Sequence, residues 1–250
     1  WKMDVKGVEY PAQLIGDWLR DADILHVSNE VAFSETCPKA DPGQTSLRFC
    51  SQPQQIGLLD WIGVDVVELT GNHVMAAGAE ALLFTLEQYR QRGWQDFGGG
   101  TDLEDSLQPA LFEHNGNRVA LLGCNQAGPS TAWATADRPG ATPCDLDRFS
   151  IEAARLRQEG YVVVFTYQWA ESYRAEPGQT QVDGFRAAAD AGAAIVQGSQ
   201  AHQPQSFEFW NGTFIHYGLG NLFFDQMASA SVRQEFLDRH VIYAGRHIST

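Results

Sequence analysis

Four stretches of this chain end in side chains that can do chemistry. Asn29 and Glu30 follow "ILHVS", Asn72 and His73 follow "VVELTG", Gln168 follows "VVVFTY", and Gln200 with His202 follows "AAIVQGS". A carboxylate and two imidazoles can move protons or ligate a metal ion, while each primary amide offers two N–H donors and an acceptor to a carboxylate or peptide group. Each preceding apolar run reads as a buried β-strand. In open α/β sheets ligands bind beyond the carboxyl ends of the strands, where loops and helix N-termini converge on a rigid edge. If the four strands are neighbours, these groups share one rim. Taken singly, each has a plainer role: Glu30 or Asn72 could cap a turn or the following helix, His73 could be a satisfied structural histidine, and Gln168 or Gln200 could tie down a loop. Their coincidence at four strand ends favours a binding or catalytic rim. His73, beside Asn72 at an expected helix N-terminus, would suit a developing anion.

The elements that must position these groups alternate. "YPAQLIGDWLRDA" reads as helix before "DILHVSNE", and "QQIGLLDWIG" as helix before "VDVVELTGNH". The unit recurs as "DRFSIEAARLRQEG" before "YVVVFTYQW" and "GQTQVDGFRAAADAG" before "AAIVQGSQAH", each helix ending at Gly or Ala ahead of a β-branched run. "AEALLFTLEQYRQRGW" predicts a further helix. Asn115-Gly116 and Asn211-Gly212, each between apolar runs, predict hairpins, so the sheet or sheets are mixed. "GGGTDLED" reads only as a Gly-rich turn, and Asp225-Gln226 as side chains bonding nearby backbone. Trp133, Trp169 and Tyr173 are candidates to line a pocket or to fill core and lid.

Composition narrows the classes. With 250 residues, 44% hydrophobic and 11% aromatic, the chain can bury a sizeable core. A net charge of −14 with 17 Lys and Arg argues against nucleic-acid binding. No apolar run of about 18 residues reads as a membrane span, and "WKMDVKGVEYP" lacks the order of a signal peptide, so any membrane anchor is expected outside this chain. Cys37, Cys50, Cys124 and Cys144 show no CxxC spacing. They read as two disulfides, Cys37–Cys50 and Cys124–Cys144, each closing a polar loop in an oxidising compartment, or as four reduced thiols.

Longer stretches carry a resemblance. "GNHVMAAGAEALLFTLEQYRQRG", "GGGTDLEDSLQPALFEHNGNRVALLG" and, most specifically, "FWNGTFIHYGLGNLFFDQ" resemble segments of the capsule-synthesis CapA family: NNHxxDxG, GxGxNLxEAxxP with NGxKVAFLG, and YNGKPIFYSLGNFVFDQ. These poly-γ-glutamate proteins share the calcineurin-like metallophosphoesterase fold. The resemblance implies an α/β fold of two mixed β-sheets sandwiched between helices in four layers. It also implies one domain over 1–250, lacking the family's first strand in front and trimmed behind Thr250, and an extracytoplasmic or cell-envelope location. The sequence departs from the family where HWG becomes Gln168-Trp169-Ala170, where HPH becomes Gln200-Ala201-His202, and where the aspartate of NHxxDxG becomes Ala76.

Amide oxygens are weak, hard ligands, so the two His-to-Gln changes disfavour a dinuclear transition-metal centre. Glu30, Asn72 and His202 would hold at most one hard divalent cation, Mn, Mg or Ca, or none. Three readings follow. The first is a CapA-like protein of capsule or envelope polymer handling that binds an anionic peptide polymer or a small-molecule precursor through Asn29, Gln168, Trp169, Gln200, Gln203 and Gln205. The second is a hydrolase of phosphoester or γ-glutamyl bonds with Glu30, His73 and His202 as its catalytic groups. The third is a non-catalytic scaffold with a degenerate metal site.

Overall fold

A computed structural model describes residues 2–250. The chain forms two compact units, residues 2–107 with 128–142 and residues 108–127 with 143–250. The first unit holds a parallel sheet of β1 (His26–Ser28), β2 (Val66–Glu68) and β3 (Gln95–Phe97), in that order. Short helices α1 (Lys2–Lys6), α2 (Gly16–Arg20) and α3 (Gly57–Ile62) lead into β1 and β2. The longer α4 (Ala79–Arg92) joins β2 to β3 and buries Ala81, Leu82, Thr85, Leu86 and Tyr89, a stripe at helical spacing. Gly93 in the left-handed region (φ 73°) ends it, with Arg90 and Arg92 in the last turn, where positive charge complements the helix dipole.

Two local expectations change here. The stretch read as one helix from Tyr10 is a 3-10 turn over Tyr10–Ala12, with Pro11 in its first turn, and then the separate α2. Ile15, at φ −123°, breaks the helical run between them. The Gly-rich stretch is more than a turn, because β4 (Gly99–Gly100) pairs antiparallel with β7 (Gly140–Ala141). The short helix α5 (Leu103–Ser106) then starts at Asp102, whose side chain accepts from Asp105 N at 2.9 Å.

The second unit is built on six strands in the order β10-β11-β9-β8-β6-β5. β5 (Ala110–His114) and β6 (Asn117–Asn125) form the first expected hairpin, with Asn115 and Gly116 both at positive φ (48° and 74°), as a type I′ turn requires. β8 (Val162–Ser172) lies parallel to β6 and to β9 (Ile195–Ala201). β10 (Phe207–Trp210) and β11 (Thr213–His216) form the second hairpin around Asn211-Gly212, and β11 runs parallel to β9. A separate hairpin, β12 (Val241–Tyr243) with β13 (Arg246–Ser249), follows.

Helices α6 (Leu146–Gln158) and α7 (Gln179–Asp190) cover one face of this sheet. Phe149, Ala153 and Leu156 of α6 and Phe185, Ala188 and Ala189 of α7 meet Val163, Phe165, Tyr167, Val196, Ile215 and Tyr217. From Val162 to Gln168 β8 is buried on both faces, hence the nearly continuous apolar run there. The α/β class with two main sheets and flanking helices is the one expected. Among the described residues no helix is long and apolar enough to cross a membrane.

Both disulfides are formed, Cys37–Cys50 in the first unit and Cys124–Cys144 in the second, with Cα–Cα distances of 5.9 and 5.0 Å. Closing a loop of 20 residues removes unfolded-state freedom equivalent to about 3 kcal/mol. The double variant Cys124→Ala/Cys144→Ala should therefore melt about 6–12 °C lower in a calorimeter. An unchanged melting temperature would show that the bridge adds nothing to stability.

Candidate functional site

The first unit gathers Glu30, Asn72 and His73. Beyond the ends of β1 and β2 the two segments stay side by side, with Asn29 N donating to Glu68 O (3.0 Å) and Val31 bridging to His73 in parallel register. Gly71 makes this approach possible, since a Cβ there would stand 2.7 Å from the Glu30 Cα. Asn72 Nδ2 lies 3.3 Å from His73 Nε2, and the His73 ring lies flat on Phe49 with centroids 3.5 Å apart. Phe49 adjoins the half-cystine Cys50, so the Cys37–Cys50 bridge holds the ring that covers His73. Asn72 caps no helix: α4 begins only at Ala79, after Gly78 at φ 91°. The helix-terminus field expected at His73 is therefore absent. Asn29 uses both amide hydrogens within the unit, on Val31 O (2.9 Å) and the Tyr89 hydroxyl (2.8 Å).

Sequence reasoning passes over two acids here. Glu68 is buried, accepts from the Thr70 hydroxyl and has His26 Nε2 3.3 Å from its Oε2. Asp96 is pushed up to about 6, first by burial and then by Asp105.

The second unit gathers Gln168, Gln200 and His202 at the carboxyl ends of β8 and β9. Gln168 is 1% exposed; its Nε2 donates to Gln200 Oε1, and Ser199 Oγ donates to its Oε1. Its carbonyl accepts from Gln126 N and Ala127 N at 2.9 and 3.0 Å. Gln168 is thus a clamp across two strands. Gln200 sits at φ 79°, a costly conformation for a non-glycine residue, and its Oε1 is engaged by Gln168. Gly198 lets β9 bend in close, because a Cβ there would fall 2.1 Å from Tyr217 O.

His202 is oriented by a residue that sequence reasoning misses. Asn221 Nδ2 lies within hydrogen-bond distance of three acceptors that share its two hydrogens, Val232 O (3.0 Å), His202 O (3.1 Å) and Gln226 Oε1 (3.2 Å), which turns its Oδ1 toward His202 Nδ1 at 3.0 Å. An amide oxygen can only accept, so Nδ1 carries the hydrogen and Nε2 keeps its lone pair. Tyr173 and Phe224 flank the imidazole at 5.3 and 5.7 Å between centroids. The sequence signal for Asn221 is its place in the Gly-Leu-Gly-Asn step of "FWNGTFIHYGLGNLFFDQ", which matches the family segment but does not assign the residue a role. Gln226 bonds side chains, Asn221 and the Tyr173 hydroxyl, where backbone was expected, because the longer side chain reaches past the nearby main chain.

The remaining candidates are structural. Trp169 sets its edge against Tyr167 and Phe185 at 5.3 and 5.7 Å and so belongs to the core. Gln203, with its oxygen turned to Ala175 N (2.7 Å), donates to Tyr173 O and Ser231 Oγ, both 3.1 Å. Gln205 is buried, accepting from Gln181 Nε2 (2.9 Å) and donating to Arg174 O (3.2 Å). Near Asn221, Glu235 bridges to Gly220, its Oε2 buried without a hydrogen-bond partner, and burial pushes its carboxyl up to about 8.

Among the described residues no three His, Cys, Asp or Glu side chains are placed to hold a metal ion. At the ends of β8 and β9 the donors are amides bonded to each other, leaving one imidazole. These residues do not fit a two-metal centre.

Residues 2–226 match the model of the bacterial capsule synthesis protein PGA_cap. The chain belongs to that family. It is 26% identical over 224 residues to the PGA biosynthesis protein CapA of Bacillus subtilis strain 168, covering 88% of this chain and 58% of that protein. To the capsule biosynthesis protein CapA of Bacillus anthracis it is 27% identical over 228 residues, covering 88% and 55%. The chain thus spans a little over half the length of these relatives. A hypothetical protein from Thermus thermophilus shares the fold at a TM-score of 0.57 and 14% identity, over 97% of this chain and 91% of that one.

Two measurements check this geometry. At pH 8, long-range ¹H–¹⁵N spectra should show a protonated Nδ1 and a bare Nε2 on His202; the opposite tautomer would contradict the Asn221 contact. Glu235 is raised from 4.5 to about 8, so the folded chain holds a proton there that the unfolded chain has lost. This stability is fully present below about pH 4.5 and is lost as pH rises through 8. Glu235→Gln should flatten that slope, gaining roughly 4 kcal/mol on the parent between pH 5 and pH 9 in denaturant titrations; parallel curves would refute the assignment.

Proposed function

We propose that this chain serves poly-γ-glutamate capsule biosynthesis or related envelope-polymer handling by binding an anionic peptide polymer, or its precursor, at the carboxyl ends of β8 and β9. Family membership supports the process. One observation carries the site: at the end of β9, Gln168 clamps the Gln200 amide by its oxygen, and, two residues on, Asn221 orients the His202 imidazole. A γ-linked glutamate chain repeats carboxylate, peptide carbonyl and peptide N–H. The Gln200 amide donates to the first two, and His202 Nε2 accepts from the third or, once protonated, donates to a carboxylate. The two disulfides fit an oxidising, envelope-type compartment.

A hydrolytic reading has one observation in its favour, because an imidazole held at Nδ1 with a lone pair on Nε2 is the form a general base takes. Titration with poly-γ-glutamate of defined length, followed by mass spectrometry of the polymer, separates the two. Gln200→Ala should weaken binding about tenfold, the loss of one to two hydrogen bonds to a charged chain, while a Gln203→Ala variant stays within twofold. Equal affinity of Gln200→Ala and the parent would overturn the binding site. Chain shortening that disappears in His202→Ala would establish the hydrolase instead.

A further inference from the structure

The end of the second unit's large sheet opposite Gln168 and Gln200 carries an open cleft of about 260 Å³. Its walls come from the start of β8 (Tyr161, Val162), the approach to β9 (Gly192, Ala194) and the β12–β13 turn (Arg246, His247), with Arg157 from the end of α6. Val162 and Gln168 are six residues apart on one strand, so about 20 Å separates this cleft from the proposed binding site.

Two guanidinium groups without a carboxylate partner among the described residues line this one cleft. Arg118 pairs with Glu113, Arg155 with Glu152 and Glu159, and Arg186 with Glu208. Arg157 and Arg246 are exposed, and no carboxylate of the described residues lies within ion-pair distance of either. Asp190 lines an adjoining depression together with Arg157, beyond ion-pair distance of it, and its Oδ1 accepts from Trp210 Nε1 and Asn211 Nδ2, each at 3.0 Å. Arg118, paired with Glu113, lies over the Tyr161 ring, 4.4 Å from its centre. Two guanidinium groups sharing one cleft repel each other, and each offers a planar fork matched to a carboxylate. With neither guanidinium in an ion pair, the cleft is complementary to an acidic occupant in a chain whose net charge is −14.

Resting on the proposed polymer-binding role, we infer that this cleft is a second contact for the same carboxylate-rich chain, with Arg157 and Arg246 each taking a side-chain carboxylate. A polymer held at two points on one unit gains affinity from the shared backbone between them.

The test is fluorescence titration of the protein with labelled poly-γ-glutamate at low and physiological salt. Compared with the parent are Arg157→Gln/Arg246→Gln, Gln200→Ala/His202→Ala and a charge-matched exposed control, Lys39→Gln/Arg148→Gln. The cleft pair should weaken binding about three- to tenfold, the worth of two exposed ion pairs, and reduce the salt dependence, while the control stays within twofold. Weakening no greater than the control's would overturn the inference, as would a parent that binds no polymer. Loss of binding in the Gln200/His202 variant alone leaves the proposed function standing without this cleft; loss in the cleft variant alone keeps the cleft and removes the strand-end site. Polyphosphate of matched length, if bound equally well and lost equally, would replace the carboxylate assignment by a general polyanion contact.

Discussion

The second unit depends on the pairing of β8 with β6 on one side and β9 on the other. A strand buried on both faces has no water for its main chain, so each N–H and C=O must find a partner in the ladder. That demand keeps Val162 to Tyr167 extended and apolar. It also decides where the site lies. The β8–β9 register becomes irregular between Gln168 and Ser172, and at that point other donors take over: Gln126 N and Ala127 N serve the Gln168 carbonyl. The candidate site begins where the regular ladder stops, which is why its side chains can face a ligand while the strands beneath them stay fixed.

The two glutamines read as separate departures from the family's histidine motifs, yet in the structure they are one feature. Gln168 donates to Gln200, and Ser199 donates to Gln168. A neutral imidazole carries its donor and acceptor on separate ring nitrogens and its lone pair is a good metal ligand, whereas a primary amide carries both at one end and is a weak ligand. A neutral, self-satisfied pair therefore fits a site that works by hydrogen bonding. Changing one glutamine back to histidine would strand its partner's oxygen or nitrogen in a buried setting, so the two positions are coupled.

Much of the fold is legible in the sequence because its signals are local. The hairpins at Asn115-Gly116 and Asn211-Gly212, helices α4, α6 and α7, and strands β6, β8 and β9 each announce themselves by turn chemistry or hydrophobic period. The helix expected from Tyr10 divides in two because periodicity sees side chains and not the backbone break at Ile15. In the site, residue type and strand-end position pick out Gln168, Gln200 and His202, but do not say which are spent on neighbours. Gln203, Gln205 and Asn29 look like free amides in the sequence; their partners, Ala175, Gln181 and Tyr89, lie far along the chain or on another element. The roles of Asn221 and Glu235 are not legible there for the same reason, since they come from His202 and Gly220 across a loop.

Charge poses the last question, because an acidic protein is proposed to hold an acidic polymer. At physiological ionic strength exposed charges are screened over about 8 Å, so the net charge of −14 is not felt as a single repulsive body. What a polymer segment meets is the set of groups within that distance. Ion-paired arginines such as Arg186, bound to Glu208, present almost no field there. A neutral amide such as Gln200 presents hydrogen-bond donors with no charge to cancel. Attraction can therefore be built locally from donors that carry no counter-ion and from guanidiniums left without one, while the acidic remainder of the surface repels the polymer wherever neither is on offer and so favours correct seating.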